Sequence, residues 1–115
     1  MIERALIKQI DKELRPQKVM LVYGARRVGK TILAEQIVSR SGGISLTLNG
    51  EDADTIALLG SRSAENYRQL FGEYQLLVID EAQSIPDIGK ILKLIVDSVK
   101  HLSVIATGSS SLDLQ

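Results

Sequence analysis

Eight consecutive residues of the chain match the pattern G-x-x-x-x-G-K-[ST], in which two glycines enclose four variable positions before a lysine and a hydroxyl residue. Glycines adopt backbone angles that other residues resist, so such a loop can wrap an anion with its N–H groups pointing inward. The amino end of a following helix adds unpaired N–H groups and a positive dipole. The pattern therefore predicts a phosphate-binding loop made of Gly24, Ala25, Arg26, Arg27, Val28, Gly29, Lys30 and Thr31.

Two side chains of this loop have predicted chemical roles. Lys30 is expected to reach the β- and γ-phosphates of a nucleotide, and the Thr31 hydroxyl is expected to coordinate Mg²⁺. Arg26 and Arg27 occupy variable positions, where side chains either point outward toward a domain, subunit or DNA or are simply solvated charges. We assign neither arginine a catalytic role.

An acidic pair, Asp80-Glu81, directly follows the apolar run at residues 76–79. An apolar strand that ends in a carboxylate is typical of a Walker B element, whose aspartate holds Mg²⁺ largely through its water shell. Ligands of parallel sheets bind beyond the carboxyl ends of the strands, so this pair and the loop should converge on one site. Asp80 is the predicted metal ligand. Glu81 is the predicted base for the attacking water, the alternative being a structural or Mg²⁺-shell carboxylate.

A third apolar run, at residues 102–106, ends in small hydroxyl residues. If this strand lies between the strands that precede the loop and the acidic pair, its end lies beside the γ-phosphate. A hydroxyl there would hold the attacking water or sense the phosphate, with Ser109 the first candidate and Thr107 the second. The alternative interpretation is a serine-rich turn at a strand end.

The elements that would position these residues alternate along the chain. Short apolar runs predict strands at residues 19–23, 44–49, 76–79 and 102–106. Apolar residues at helical spacing predict helices at residues 2–14, 31–40, 51–60, 63–71 and 88–99. This alternation favours a mostly parallel sheet covered by helices. The predicted fold class is α/β, a three-layer αβα P-loop NTPase, with one domain at 1–115 that comprises a helix at 1–16 and a nucleotide-binding core at 19–115.

The composition excludes several other kinds of protein. A chain of 115 residues with 44% hydrophobic content suits one small globular domain. The absence of cysteine excludes disulfides, thiolate catalysis and cysteine-ligated metal clusters. Fourteen basic residues balance fourteen acidic ones, so no net charge attracts nucleic acid or acidic membranes. No apolar run approaches the roughly 20 residues of a membrane span, so we expect a cytoplasmic protein without membrane partners.

Three blocks of sequence together carry a family resemblance: GARRVGKT, LLVIDEAQSIPDIGKIL and VIATGSSSLDL. Their order and spacing, from Val19 to Leu112, resemble the prokaryotic AAA-type ATPases, related to archaeal ATPases, that carry an uncharacterised nuclease-like C-terminal domain. The resemblance implies the spatial strand order 5-1-4-3-2. It also implies that ATP and Mg²⁺ are the cofactors and that Ser109 has a sensor-like role, at a position where AAA proteins often have asparagine.

Members of that family continue beyond the third block with a fifth strand, a helical lid and a further domain. This sequence ends at Gln115 and offers no candidate for the later arginine that meets the γ-phosphate. We therefore expect a piece of a longer protein, with weak or absent hydrolysis on its own. Without a neighbour, the first strand would present an open edge that favours self-association or oligomer formation.

Three functions are compatible with these motifs. The first is an ATP-hydrolysing core that drives conformational change in attached domains or partners, and the acidic pair favours it. The second is a nucleotide-binding switch or interaction module that hydrolyses little. The third is a DNA helicase or translocase motor, although aromatic residues for stacking bases are scarce at 3%.

Overall fold

The computed structural model describes residues 8, 10, 12–23 and 27–108, and for residues 27 and 28 it describes the backbone. The described residues form one sheet of four strands: β1 (Val19–Tyr23), β2 (Ser45–Asn49), β3 (Leu76–Asp80) and β4 (Ser103–Gly108). The helices are α1 (Arg27–Arg40), α2 (Ala53–Leu59), α3 (Ala64–Phe71) and α4 (Ile88–Ser98), and Ala82–Ser84 forms a 3₁₀ turn. Residues 8, 10, 12 and 13, ahead of β1, are also helical. No described helix is both long and apolar enough to cross a membrane.

The sheet has the spatial order β1-β4-β3-β2, and every neighbouring pair of strands is parallel. β4 therefore lies between β1, which precedes the predicted phosphate loop, and β3, which ends at the acidic pair. This is the position in which the end of β4 is expected to lie beside the γ-phosphate. The four described strands follow the 1-4-3-2 part of the order 5-1-4-3-2 that the family resemblance implies, and the described residues do not test the place of a fifth strand. The predicted α/β class and parallel sheet are confirmed.

Alternation of side chains along the strands produces two core layers, because successive residues of a strand point to opposite faces. Leu77 and Ile79 face a layer with α2, α3 and α4, whose largest members include Tyr67 and Phe71. Leu76 and Val78 face the other layer, which the described part of the chain builds from Ile10, Met20, Val22, Ala34 and Ile105. β3 is thus buried on both faces, and this explains its unbroken apolar sequence.

The observed element bounds differ from the predicted bounds where backbone pairing rather than apolarity decides them. β4 continues past Ala106 to Gly108, because its pairing with β1 extends to Tyr23 opposite Gly108. α1 begins at Arg27, four residues before the predicted start. Hydrogen bonding, which does not depend on the hydrophobicity of the side chain, carries both elements into polar sequence.

The residues that precede α3 and α4 use their side chains in different ways. Ser63 caps α3, with its hydroxyl accepting the Asn66 N–H at 3.2 Å. Asp87 occupies the cap position of α4, but its side chain makes no capping bond. Its carboxylate instead accepts a hydrogen bond from the Arg62 guanidinium at 2.5 Å, and both residues have left-handed backbone angles. The contact joins the loop between α2 and α3 to the start of α4.

Candidate functional site

Residues from both predicted motifs line one cleft at the carboxyl edge of the sheet. The cleft has a volume of about 430 Å³ and is lined by Thr31, Ile32, Glu35, Thr47, Asn49, Asp80 and Glu81. Thr31 comes from the amino-terminal half of α1, whereas Asp80 is the last residue of β3. The structure thus brings the hydroxyl of the loop motif and the acidic pair to one open, polar-rimmed space.

The Thr31 hydroxyl is buried, and the described part of the chain supplies it with no hydrogen-bond partner. A buried hydroxyl without a partner costs free energy, because it has lost water and gained nothing in exchange. Such an atom in a native structure calls for an explanation, for which a bound ion or water is a usual one. Its position in the cleft beside Asp80 makes it a candidate metal ligand.

Asp80 is held by a residue of the neighbouring strand. The Thr107 hydroxyl donates to Oδ1 of Asp80 at 2.9 Å and accepts the backbone N–H of Glu81 at 3.3 Å. Thr107 is fully buried and is not among the residues that line the cleft. The register explains the contact, because Ile79 pairs with Ala106 and the next residues along both strands are Asp80 and Thr107.

Glu81 turns the chain sharply out of β3. Its backbone has φ 52° and ψ 47°, in the left-handed region, where residues other than glycine are uncommon. Its Oε1 accepts a hydrogen bond from Nε2 of Gln83 at 2.9 Å, and the 3₁₀ turn of residues 82–84 follows. A left-handed residue at a strand end in a cleft is a feature associated with functional sites.

Gly50 lets a second backbone approach the acidic pair. Its N–H donates to the Asp80 carbonyl oxygen at 2.6 Å. A Cβ at this position would lie 2.9 Å from that same oxygen and closer still to the Glu81 carbonyl oxygen. Backbone atoms cannot move aside as a flexible side chain can, so only glycine fits here.

Gly29 differs from Gly50, because no described atom stands within 4 Å of a Cβ built on it. It lies in the first turn of α1, outside the left-handed region of backbone angles, and glycine in a helix is less favourable than alanine. Neither packing nor backbone conformation in the described structure therefore requires glycine at this position. The adjacent Lys30 is half-buried.

A profile of the AAA domain family matches residues 16–115, nearly the whole chain. The chain belongs to the AAA domain family. Two curated relatives of this AAA domain are the uncharacterised proteins Rv2008c of Mycobacterium tuberculosis and Mb2031c of Mycobacterium bovis. Each is 33% identical over 107 residues, which are 92% of this chain and 23% of the relative. The chain thus spans about a quarter of the length of these relatives.

Two solved structures of DnaA resemble this AAA domain in fold. One is the replication initiator DnaA bound to AMPPCP and single-stranded DNA, with a TM-score of 0.63 at 12% identity. The other is AMPPCP-bound DnaA from Aquifex aeolicus, with a TM-score of 0.54 at 17% identity. Each match covers 95% of this chain and 38% of the DnaA chain. Together with the parallel sheet they identify the P-loop NTPase fold.

Several residues at the cleft of this AAA domain were not predicted from the sequence. Oε2 of Glu35 accepts a hydrogen bond from the Thr47 hydroxyl at 3.1 Å, and Oδ1 of Asn49 accepts the Glu51 N–H at 2.9 Å. Glu35 could have been found, because it lies one helical turn after Thr31 and therefore on the same face. Asn49 also had a signal, since it ends a predicted strand. Gly50, which supports the acidic pair but is not among the residues that line the cleft, had no sequence signal, because its close neighbours are distant in sequence.

Other predicted residues fall outside what the structure describes. They are Gly24, Ala25 and Arg26 of the loop and Ser109 after β4. Arg27 and Val28 belong to α1 by their backbone. The roles predicted for these positions therefore stay predictions.

Proposed function

We propose that this AAA domain binds ATP with Mg²⁺ in the cleft between α1 and the end of β3, and that it hydrolyses the nucleotide in the longer protein. The observation that carries the proposal is the buried Thr31 hydroxyl, which has no hydrogen-bond partner among the described residues and lies in the same cleft as the oriented carboxylate of Asp80. The nucleotide AMPPCP in both DnaA structures supports the choice of ligand class.

The donor set of the cleft suits Mg²⁺ better than a softer metal. Hydroxyl and carboxylate oxygens are the ligands this ion takes, together with waters and nucleotide phosphates. Among the described residues no group of three or more histidine, cysteine, aspartate or glutamate side chains could hold a metal without other ligands. A site with Thr31 and Asp80 as its protein ligands therefore fits an ion that arrives with a nucleotide.

Different residues would bind the phosphates, hold the metal and accept the proton of the attacking water. Backbone N–H groups of residues 24–31 and the Lys30 ammonium would bind the phosphates, while Thr31 and Asp80 would hold the metal. Glu81, at the rim of the cleft, would take the proton of the attacking water. Ser109 stays the candidate for contact with the γ-phosphate. When bound, Mg²⁺ supplies charge neutralisation at the β- and γ-phosphate oxygens.

The use made of the nucleotide depends on the longer protein. We propose that residues 1–115 form its nucleotide-binding core, that the parts outside this core include a lid and a further domain, and that hydrolysis changes their arrangement. A non-hydrolysing switch is the second candidate, and a single measurement separates the two. Glu81→Gln should abolish turnover and leave binding intact, because removal of a general base costs about 10²–10⁴-fold in rate.

Calorimetric titration of the protein with ATP and GTP, each with and without Mg²⁺, tests the binding proposal. ATP is expected to bind more tightly with Mg²⁺ than without it. Lys30→Ala should weaken ATP binding by about 10–100-fold, because it removes charge-assisted bonds to phosphate. Lys100→Ala is the matched control, since this exposed lysine precedes β4 at the opposite edge of the sheet.

Two results would contradict the proposal. The first is wild-type protein that binds neither nucleotide, and the second is Lys30→Ala that binds as tightly as Lys100→Ala. Stimulation of turnover by single-stranded DNA would instead favour a motor function.

A further inference from the structure

Thr107 carries a buried hydroxyl at the end of the central strand β4. The residue is fully buried, and it pairs with Val22 of β1. Apolar residues fill the rest of the strand interior, and a valine of nearly the same shape would fit such a core without a polar atom. A buried hydroxyl requires hydrogen-bond partners, so its contacts indicate why it is there.

Both hydrogen-bond partners of Thr107 belong to the acidic pair. A hydroxyl has one proton to donate, and an ionised carboxylate only accepts, so the proton of Thr107 goes to Oδ1 of Asp80. Its oxygen then accepts the Glu81 N–H, the first backbone donor after β3. One hydroxyl thus orients the predicted metal ligand and ties down the residue that leaves the sheet with left-handed angles.

We propose that Thr107 is a positioning residue for metal-dependent nucleotide binding. It sets the rotation of the Asp80 carboxylate toward the metal and holds the backbone turn that directs the chain at Glu81. The inference rests on the proposed function and assigns to Thr107 an indirect role, since the residue does not line the cleft. Outer partners of metal ligands commonly change metal affinity by about 10–100-fold when they are removed.

Four proteins test the role of the hydroxyl: wild type, Thr107→Ser, Thr107→Val and Thr107→Ala. Each is titrated with Mg²⁺ at a fixed concentration of ATP, and the Mg²⁺ concentration at half-maximal binding is measured by calorimetry. Thr107→Val and Thr107→Ala should raise this midpoint by about tenfold or more, while Thr107→Ser should stay within about threefold of wild type. ATP binding in the presence of EDTA should be equal in all four.

A matched control separates positioning from general loss of packing. Thr55 is another buried threonine, in α2 and outside the cleft, so Thr55→Val makes the same chemical change elsewhere in the fold. It should leave the Mg²⁺ midpoint at the wild-type value. If Thr107→Val does not fold, as judged by circular dichroism, the comparison of serine with alanine at position 107 isolates the hydroxyl by itself.

The outcomes separate this inference from the proposed function. A wild-type protein that binds no nucleotide overturns both. A wild type that binds ATP with a measurable Mg²⁺ midpoint, unchanged in Thr107→Val and Thr107→Ala, overturns the positioning role alone. An equal shift in Thr107→Ser and Thr107→Ala also overturns it, because the lost methyl group would then explain the effect.

Discussion

The two sides of the cleft are built differently. On the strand side, Asp80, Glu81, Thr107 and Gly50 are joined to one another by hydrogen bonds and close backbone contacts. On the helix side, the Thr31 hydroxyl lacks a partner among the described residues, and no described atom lies within 4 Å of a Cβ built on Gly29. The strand side is therefore organised by the fold itself, whereas on the helix side we propose a bound ligand as the partner of the Thr31 hydroxyl. Substitutions on the two sides should separate stability from binding.

The largest contrast is expected between Gly50→Ala and Gly29→Ala. Gly50→Ala forces a Cβ against the carbonyl oxygens of Asp80 and Glu81 and should lower the free energy of unfolding by about 1–3 kcal/mol. The Cβ of Gly29→Ala meets no atom of the described residues, and the substitution replaces a helical glycine, so stability should stay level or rise by about 0.5–1 kcal/mol. Urea unfolding measures both values.

ATP titration of the same two variants completes the test. Gly29→Ala should lose nucleotide affinity despite its undiminished stability, because its Cβ would occupy space that we assign to phosphate. Equal losses of stability in both variants would show that the two sides do not differ in this way.

A smaller contrast is expected between two threonines. Thr107→Val removes the two hydrogen bonds that the buried hydroxyl makes to the Glu81 N–H and to Oδ1 of Asp80, so stability should fall by about 1–3 kcal/mol. Thr31→Val removes a hydroxyl that has no partner in the described structure, so stability should be unchanged or should rise. Both variants should need more Mg²⁺ for ATP binding. A loss of stability in Thr31→Val comparable with that in Thr107→Val would contradict the comparison.

The smallest effect is expected at the Arg62–Asp87 ion pair, which belongs to neither side of the cleft. The hydrogen bond from Arg62 and the positive charge of its guanidinium lower the pKa of Asp87 below the ordinary 3.8. The stabilisation is therefore complete above pH 3.8 and disappears as the pH falls through the lower pKa of the folded state. Asparagine tolerates the left-handed backbone of this position, so Asp87→Asn removes the charge and keeps the backbone conformation. The variant should be slightly less stable than wild type at neutral pH, because it lacks the ion pair.

Thermal melts from pH 7 downward check this expectation. The difference in melting temperature between wild type and Asp87→Asn should shrink below pH 3.8, and ATP binding at neutral pH should be unchanged. A difference that grows in acid would contradict the assignment of the pair.

The sequence by itself determined the helices and strands and the order of the three motif blocks along the chain. The strand before the loop, Val19–Tyr23, has the predicted bounds, and the family profile agrees with the three motif blocks. These features could be predicted because each is local. Burial on both faces makes a strand uniformly apolar, and a phosphate loop needs its glycines, lysine and hydroxyl in consecutive positions.

Only the tertiary structure decided which groups meet across the sheet. The sequence makes Thr107 the second candidate for holding a water, whereas parallel pairing of β3 with β4 directs its hydroxyl to Asp80 and Glu81. Gly50 meets the backbone of Asp80 and Glu81 because β2 lies beside β3. Asp87 precedes α4 at the cap position, but its carboxylate accepts a hydrogen bond from Arg62, which lies 25 residues earlier in the chain. Contacts between residues distant in sequence depend on strand order and register, and a local pattern specifies neither.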